Sequence, residues 1–550
     1  MSMIQNPVLP GFHADPSICR VGDDYYIATS TFEWWPAVRI HHSKDLVNWT
    51  HCAYAVTRPS QLNLLGHPDS SGVWAPCLSY AQGQFWLIYT DARSVCGAYK
   101  DAHNYLITAP SIEGPWSEPI YMNSSGFDPS LFHDDDGRTW FVNQEWLHQP
   151  GANNFNGILL QEYDHSKKCL IGSIKNIFMG THLGVVEGAH LYRRNGWYYL
   201  LTAEGGTFYE HAVTIARSRS IDGPYEVMPG NPMLTAQFKS ENGLQRTGHA
   251  SWVQTGADEW YMAHLCGRPL EWNGPHAGQG DHTKGYQNLH CILGRETGLQ
   301  KFDWTADGWP RLISGDNAPA SQVPAPAGIN ATRKEPETVR DDFDQPVLQP
   351  HLNSLRVPMT SDWISLQERP SHLRLKGRES LMSTFEQSLV ARRIQDFKCE
   401  VQTAVDFAPR NFQTMAGLVA YYNTSNHAYL HVTADVATGK RVLRLTVNDC
   451  AALKEPVEAA LLPDGLVQLR VVFSHDTFQF SYSVSGADTW KDFGPALSSA
   501  MLSDEYATRS RDGYFYSFGF TGGFVGIACQ DLSGQKLHAD FDYFHYSPLK

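Results

Sequence analysis

One hairpin pattern recurs five times along the first half of this 550-residue chain, and it limits the fold more than any other feature. The copies are DPSICRVGDDYYIATS from Asp15, APCLSYAQGQFWLIYT from Ala75, DPSLFHDDDGRTWFVN from Asp128, EGAHLYRRNGWYYLLT from Glu187 and HASWVQTGADEWYMAH from His249. Each opens on a short apolar strand, passes through a polar turn and returns as an aromatic strand. The copies are spaced by roughly fifty to sixty residues, room for a four-stranded sheet apiece, which is the requirement of a five-bladed β-propeller. A weaker repeat lies between them, HSKDLVNW (His42 to Trp49), APSIEGPW (Ala109 to Trp116) and SRSIDGPY (Ser218 to Tyr225), and it reads as the outer strands. No long stretch has helical periodicity.

Radial blades bring equivalent positions at the start of the innermost strands together around a central channel. Asp15, Ala75, Asp128, Glu187 and His249 therefore form a ring, and three of the five are acids. One such acid, taken alone, reads as a turn residue. Three in register inside a partly desolvated funnel repel one another and shift one another's pKa values, so a structural role explains them poorly.

Composition narrows the chemistry. The formal net charge is −14, only 18% of residues are charged, and no basic run is present, which argues against nucleic acid and anionic membranes. Aromatic residues make up 12%, which suits a β-rich fold and stacking on sugar rings. The ten cysteines are scattered singly with no C-x-x-C pair. With no basic, apolar leader ahead of Asp15, a reduced cytoplasmic setting is expected. No apolar run reaches the length of a membrane span.

A trio of carboxylates without a phosphate loop, a G-x-S-x-G or an H-E-x-x-H motif points to glycoside hydrolysis, which needs one acid and one carboxylate at an oxocarbenium-like centre. The motifs HADPS (His13 to Ser17), WAP (Trp74 to Pro76), GFDPS (Gly126 to Ser130), VVEGAH (Val185 to His190) and GRET (Gly294 to Thr297) together resemble glycoside hydrolase family 43. The likeness is to its β-xylosidases with an appended lectin-like domain, and it spans essentially the whole chain. It implies Asp15 as the general base, Glu187 as the general acid and Asp128 as the residue that orients the acid and tunes its pKa, with inversion at the anomeric carbon.

The same resemblance implies a substrate pocket. Phe32 and Trp74, with the neighbouring ring position Ala75, wall the terminal sugar; Trp146 serves as a platform for the next one; Arg295 forks onto hydroxyls; and Thr207 is a weaker member. His249 resembles an axial histidine, with a structural or water-binding role favoured over the calcium ion seen there in some relatives. No cofactor is expected to be required. HDDDGRT (His133 to Thr139) reads as a hairpin tip rather than a calcium loop, and the Gly-rich stretch 273–285 as a long loop at the channel mouth.

Three segments are expected: a propeller over 1–313, a linker over 314–337 rich in Pro and Ala, and a β-sandwich over 338–550 whose strands include LRLKG, GLVAYY, AYLHVT, LVQLRVVF and FQFSYSVSG. The sandwich resembles the concanavalin A-like jelly roll of these xylosidases, in which the accessory domain lends an aromatic to the pocket. The loop FGFTGGFVG makes Phe520 and Phe524 the candidates. The expected activity is release of xylose from the non-reducing ends of β-1,4-xylooligosaccharides, with α-L-arabinofuranosidase activity on the side. A primary arabinofuranosidase and a non-catalytic sugar-binding propeller are the alternatives. Homo-oligomers, including tetramers, are implied by resemblance alone.

Overall fold

The computed structural model describes residues 2–239, 242–272, 286, 288–336, 338–484, 489–511 and 514–550; the Gly-rich stretch 273–285 lies outside them. Among these residues helix is confined to two short turns, Ser499–Leu502 and Asp504–Ala507. Five antiparallel sheets occupy the N-terminal half, with innermost strands Ser17–Val21, Gly72–Ala81, Ser130–His133, Glu187–Arg194 and Gln245–Gln254. Each pairs with the returning aromatic strand predicted for it: Ser17 faces Ala28, Tyr80 faces Phe85, and Ser130 faces Val142. The blades pack face to face through apolar clusters such as Tyr199, Trp252, Phe302 and Trp309.

The weaker repeat has a different place from the one expected. His42 to Trp49, Ala109 to Trp116 and Ser218 to Tyr225 are the turns between third and fourth strands, and the outer strands follow at Thr50–Val56, Ile120–Asn123 and Glu226–Val227. In the second and third of these the Gly-Pro pairs explain this, and in the first Asp45 accepts the N–H groups of Val47 and Asn48 to close the turn. Gly114 and Gly223 adopt φ of 99° and 88°, and the prolines after them have no N–H for a ladder.

The C-terminal half is a sandwich of two nine-stranded sheets around one large apolar core that includes Trp363, Leu430, Phe480 and Phe541. The strands read from sequence lie in it, among them Leu373–Lys376, Thr414–Asn423, Asn426–Ala434, Val467–Ser474 and Thr477–Val484. The two halves share structure. Trp34–Trp35, from the first blade, adds an edge strand to the sandwich by pairing with Ser354 and Leu355. Nor are the described residues 314–336 of the expected linker loose, as that composition would suggest. Its Gln322–Pro324 pairs with Met3–Gln5, Tyr261 donates to the Pro324 carbonyl, and Val323 is buried against the first and fifth blades.

The ring positions sit where the backbone is least relaxed. Asp15, Ala75, Asp128 and His249 adopt φ of 53°, 25°, 53° and 41°, in or near the left-handed region that costs a non-glycine residue about 1–2 kcal/mol. In the fourth blade the kink falls on Gly188 (57°), just after Glu187. Register shifts at Trp74/Cys77, Glu187/His190 and Gly248/Ala250 mark the same level of the channel. These kinks turn side chains out of the sheets and toward the axis, and strain of this kind clusters at functional sites.

Candidate active site

The three acids open into one cavity of about 440 Å³. Asp15 is held from two sides. The Ser30 hydroxyl, at the end of the same hairpin, donates to its Oδ2 at 2.7 Å, and Arg295 Nη1 donates to its Oδ1 at 3.0 Å. Burial alone would raise the Asp15 pKa, but Arg295, His249 and the Ser30 hydrogen bond outweigh it and hold the carboxyl below its ordinary range. These surroundings favour the carboxylate form of Asp15.

Glu187 is driven the other way. Burial raises its pKa well above the ordinary value, and the charges of Asp128 and Asp15 add to the effect, against a smaller opposing pull from Arg295. Asp128 accepts the Gly188 N–H at 3.1 Å, and burial together with the Asp15 charge pushes its pKa up to about 6, although His249 acts against this. His249 spans the base and the third acid, with Nδ1 3.7 Å from Asp15 Oδ1 and 3.9 Å from Asp128 Oδ2. A Cβ on Gly188 would meet the His249 ring at 3.1 Å while facing a φ of 57°, so glycine is needed after the acid. The result is two carboxyl groups in one cavity whose environments separate their pKa values, the arrangement that divides acid from base.

Around them stand Phe32, Trp74, Trp146, Thr207, His249, Arg295 and Phe520, all lining the cavity as expected. Arg295 lies between two rings, 5.2 Å from the centroids of both Phe32 and Phe520, and its Nε donates to the Phe520 carbonyl at 3.2 Å. Its Nη1 also donates to Thr207 Oγ1 at 3.1 Å. The buried Arg246 donates to the Thr207 carbonyl and pairs with Asp504 and Glu505 of the C-terminal half, both at 3.1 Å. Trp146 is fixed by its indole N–H to the Ala98 carbonyl at 2.8 Å, and the Lys100 ammonium lies 4.7 Å over its ring.

Two expected members are elsewhere. Ala75 holds its ring position in the backbone, but its methyl is buried in the second blade and does not line the cavity. Phe524 belongs to the interface: it starts the central strand Phe524–Asp531 and stacks on Trp34 with centroids 3.7 Å apart. Alternation within that strand commits its side chain to packing, whereas Phe520 sits in the loop before it and is free to reach the cavity.

Sequence reading missed Phe127, Lys100, His211, Phe515 and Phe518. Phe127 was within sight, since it stands inside the GFDPS motif next to Asp128. HDDDGRT is a hairpin tip, as read, closed by Gly137 N–H to the Asp134 carbonyl, and Asp134 takes hydrogen bonds from Arg193 and Tyr198.

Comparison with known proteins gives matches along nearly the whole chain. The description "Glycosyl hydrolases family 43" matches residues 4–310, and "Beta xylosidase C-terminal Concanavalin A-like domain" matches residues 340–547. A protein of Bacillus subtilis (strain 168) named beta-xylosidase is 50% identical over 99% of both chains. One from Humicola insolens, named xylosidase/arabinosidase 43B, is 47% identical over 100% of this chain and 98% of its own. The crystal structure of a xylan beta-1,4-xylosidase from Bacillus halodurans C-125 superposes with a TM-score of 0.92 at 51% identity, covering 99% of this chain and 100% of that one.

Proposed function

We infer the activity of this chain, which belongs to glycosyl hydrolase family 43 and carries that family's C-terminal concanavalin A-like domain, from its site: it is an exo-acting, inverting β-xylosidase. The observation that carries the reading is the opposed surroundings of two carboxyls in one cavity: Asp15 paired with Arg295 at 3.0 Å and bonded by Ser30, which hold its pKa low, and Glu187 buried among the charges of Asp128 and Asp15, which hold its pKa high. Asp15 takes a proton from the attacking water, and Glu187 gives one to the departing glycosidic oxygen. Asp128 keeps that proton on Glu187 by its charge and orients the Glu187 segment through Gly188. Phe32, Trp74 and Phe520 enclose the terminal sugar on three sides, which favours release from chain ends over internal cleavage. Trp146 supports the leaving sugar.

The names of the relatives support β-1,4-xylooligosaccharides as substrates and α-L-arabinofuranosides as secondary ones. No metal is required in this account. The Asp15 charge is committed to Arg295, which leaves one nitrogen of His249 and the Asp128 carboxylate, a poor donor set for a hard cation that seeks six or more oxygens. Ten free thiols, six of them buried, fit a reducing cytoplasmic setting. Initial rates on p-nitrophenyl β-D-xylopyranoside and p-nitrophenyl α-L-arabinofuranoside test the reading. A higher kcat/KM on the xyloside is expected. The reverse order makes the chain primarily an arabinofuranosidase, and no turnover of either makes it a sugar-binding propeller.

A further inference from the structure

Ser70 takes no part in the chemistry above, yet its hydroxyl and its carbonyl are committed to residues that wall the cavity. It is buried, and its backbone is left-handed at φ 61°. Its N–H donates to Glu33 Oε1 at 3.2 Å, one residue beyond Phe32. Its carbonyl accepts the Trp74 indole N–H at 3.1 Å. Its hydroxyl donates to the Phe518 carbonyl at 2.9 Å and accepts the Phe520 N–H at 3.2 Å. One propeller side chain thus ties down two aromatics of the C-terminal half, while its main chain holds the tryptophan that faces them.

The consequence for the pocket is geometric. Phe520 stands 5.9 Å from Phe32 and 6.3 Å from Trp74, and it stacks on Phe518 at 5.2 Å. These rings set the width of the space left for a sugar. Phe520 is gripped at both ends of its backbone, its N–H by Ser70 and its carbonyl by Arg295. Further along, the Gly522 N–H is fixed by Asp504 Oδ1 at 3.0 Å, and a Cβ on Gly522 would lie 2.6 Å from Gly294 Cα. That leaves the Ser70 hydroxyl as the bond from outside the sandwich that holds the Phe518 end of the loop.

We propose that Ser70 is a positioning residue that fixes the aromatic wall lent by the C-terminal domain and so sets the affinity for the terminal sugar. The inference rests on the reading of the cavity as a pentose site. A residue serving only its own turn would bond to neighbours in sequence, whereas the two partners of this hydroxyl lie 448 and 450 positions away.

The test is steady-state kinetics on p-nitrophenyl β-D-xylopyranoside with the full chain, comparing wild type with Ser70→Ala, Ser70→Gly, Phe520→Ala and the Ser70→Ala/Phe520→Ala pair. Ser70→Gly removes the hydroxyl and also relieves the left-handed strain, so it guards against a folding defect in Ser70→Ala. Loss of two hydrogen bonds should raise KM about 5- to 20-fold in both Ser70 variants, with kcat within about threefold of wild type. If Ser70 acts through Phe520, the pair should match Phe520→Ala within about twofold. Unchanged KM in both Ser70 variants, a fall in kcat alone, or multiplied losses in the pair would each overturn the proposal while wild-type turnover leaves the xylosidase reading intact. Wild type that does not hydrolyse the xyloside overturns both.

Discussion

Arg295→Gln exposes what the site asks of Asp15. The two side chains are nearly fully buried and meet at 3.0 Å. At that distance two unit charges attract by about 5–6 kcal/mol in an effective dielectric of about 20. Most of this offsets the cost of burying them, so the measurable quantity is the cost of leaving one partner alone, about 3–5 kcal/mol. Asp15 can avoid part of that cost by taking up a proton. In the wild type its folded pKa is depressed, so its contribution to stability is present above the ordinary carboxylate pKa and is lost as pH falls through the lower folded value. Without Arg295, burial is less opposed and the folded pKa rises. The acid limb of kcat/KM should then move to higher pH, each unit of movement costing about tenfold in rate at a fixed pH below the limb. Urea unfolding at pH 7 should show a loss of several kcal/mol, and adding Asp15→Asn should restore most of the stability while abolishing turnover. An acid limb that stays in place, with stability unchanged, would refute the reasoning.

Glu187→Ala should cripple hydrolysis of xylobiose, whose leaving alcohol needs a proton, yet spare much of the rate on an aryl xyloside with an acidic phenol; equal losses on both count against Glu187 as the acid. Asp128→Asn keeps an acceptor for the Gly188 N–H but removes a charge that is present above about pH 6, so the basic limb of the pH profile should move down. A basic limb that stays or rises excludes this tuning. Gly188→Ala should cost about 1–2 kcal/mol from its left-handed backbone and, by crowding the His249 ring, lower kcat at least about tenfold; wild-type melting and turnover together would show that the close approach is tolerated.

The fold was legible where it repeats. Five hairpins written in one grammar identified the blades, and the register of the acids within them foretold that Asp15, Asp128 and Glu187 share one cavity. What failed to show was whatever depends on a neighbour far along the chain. Phe524 and Phe520 are equivalent in composition and stand four positions apart, but one begins a strand covered by Trp34 and the other precedes it. Only the pairing of strands separates them. Ala75 was carried along with its ring position, although it sits in the register shift between Trp74 and Cys77 and its buried side chain does not line the cavity. The turns at Gly114 and Gly223 were taken for strands because they recur between the hairpins; the Gly-Pro pairs inside them were the contrary signal. Lys100 and Phe518 sit on connecting loops, where no periodicity announces a role.

The central claim is that Asp15 drives water directly onto the anomeric carbon while Glu187 protonates the leaving oxygen. Proton NMR of a β-xyloside in the first minutes after adding enzyme at high concentration tests it most directly, because it reads the configuration of the product before mutarotation mixes the anomers. The account predicts that the α-xylose signal rises first. If β-xylose appears first, the reaction retains configuration, and Asp15 acts as a nucleophile rather than as the base of a single displacement.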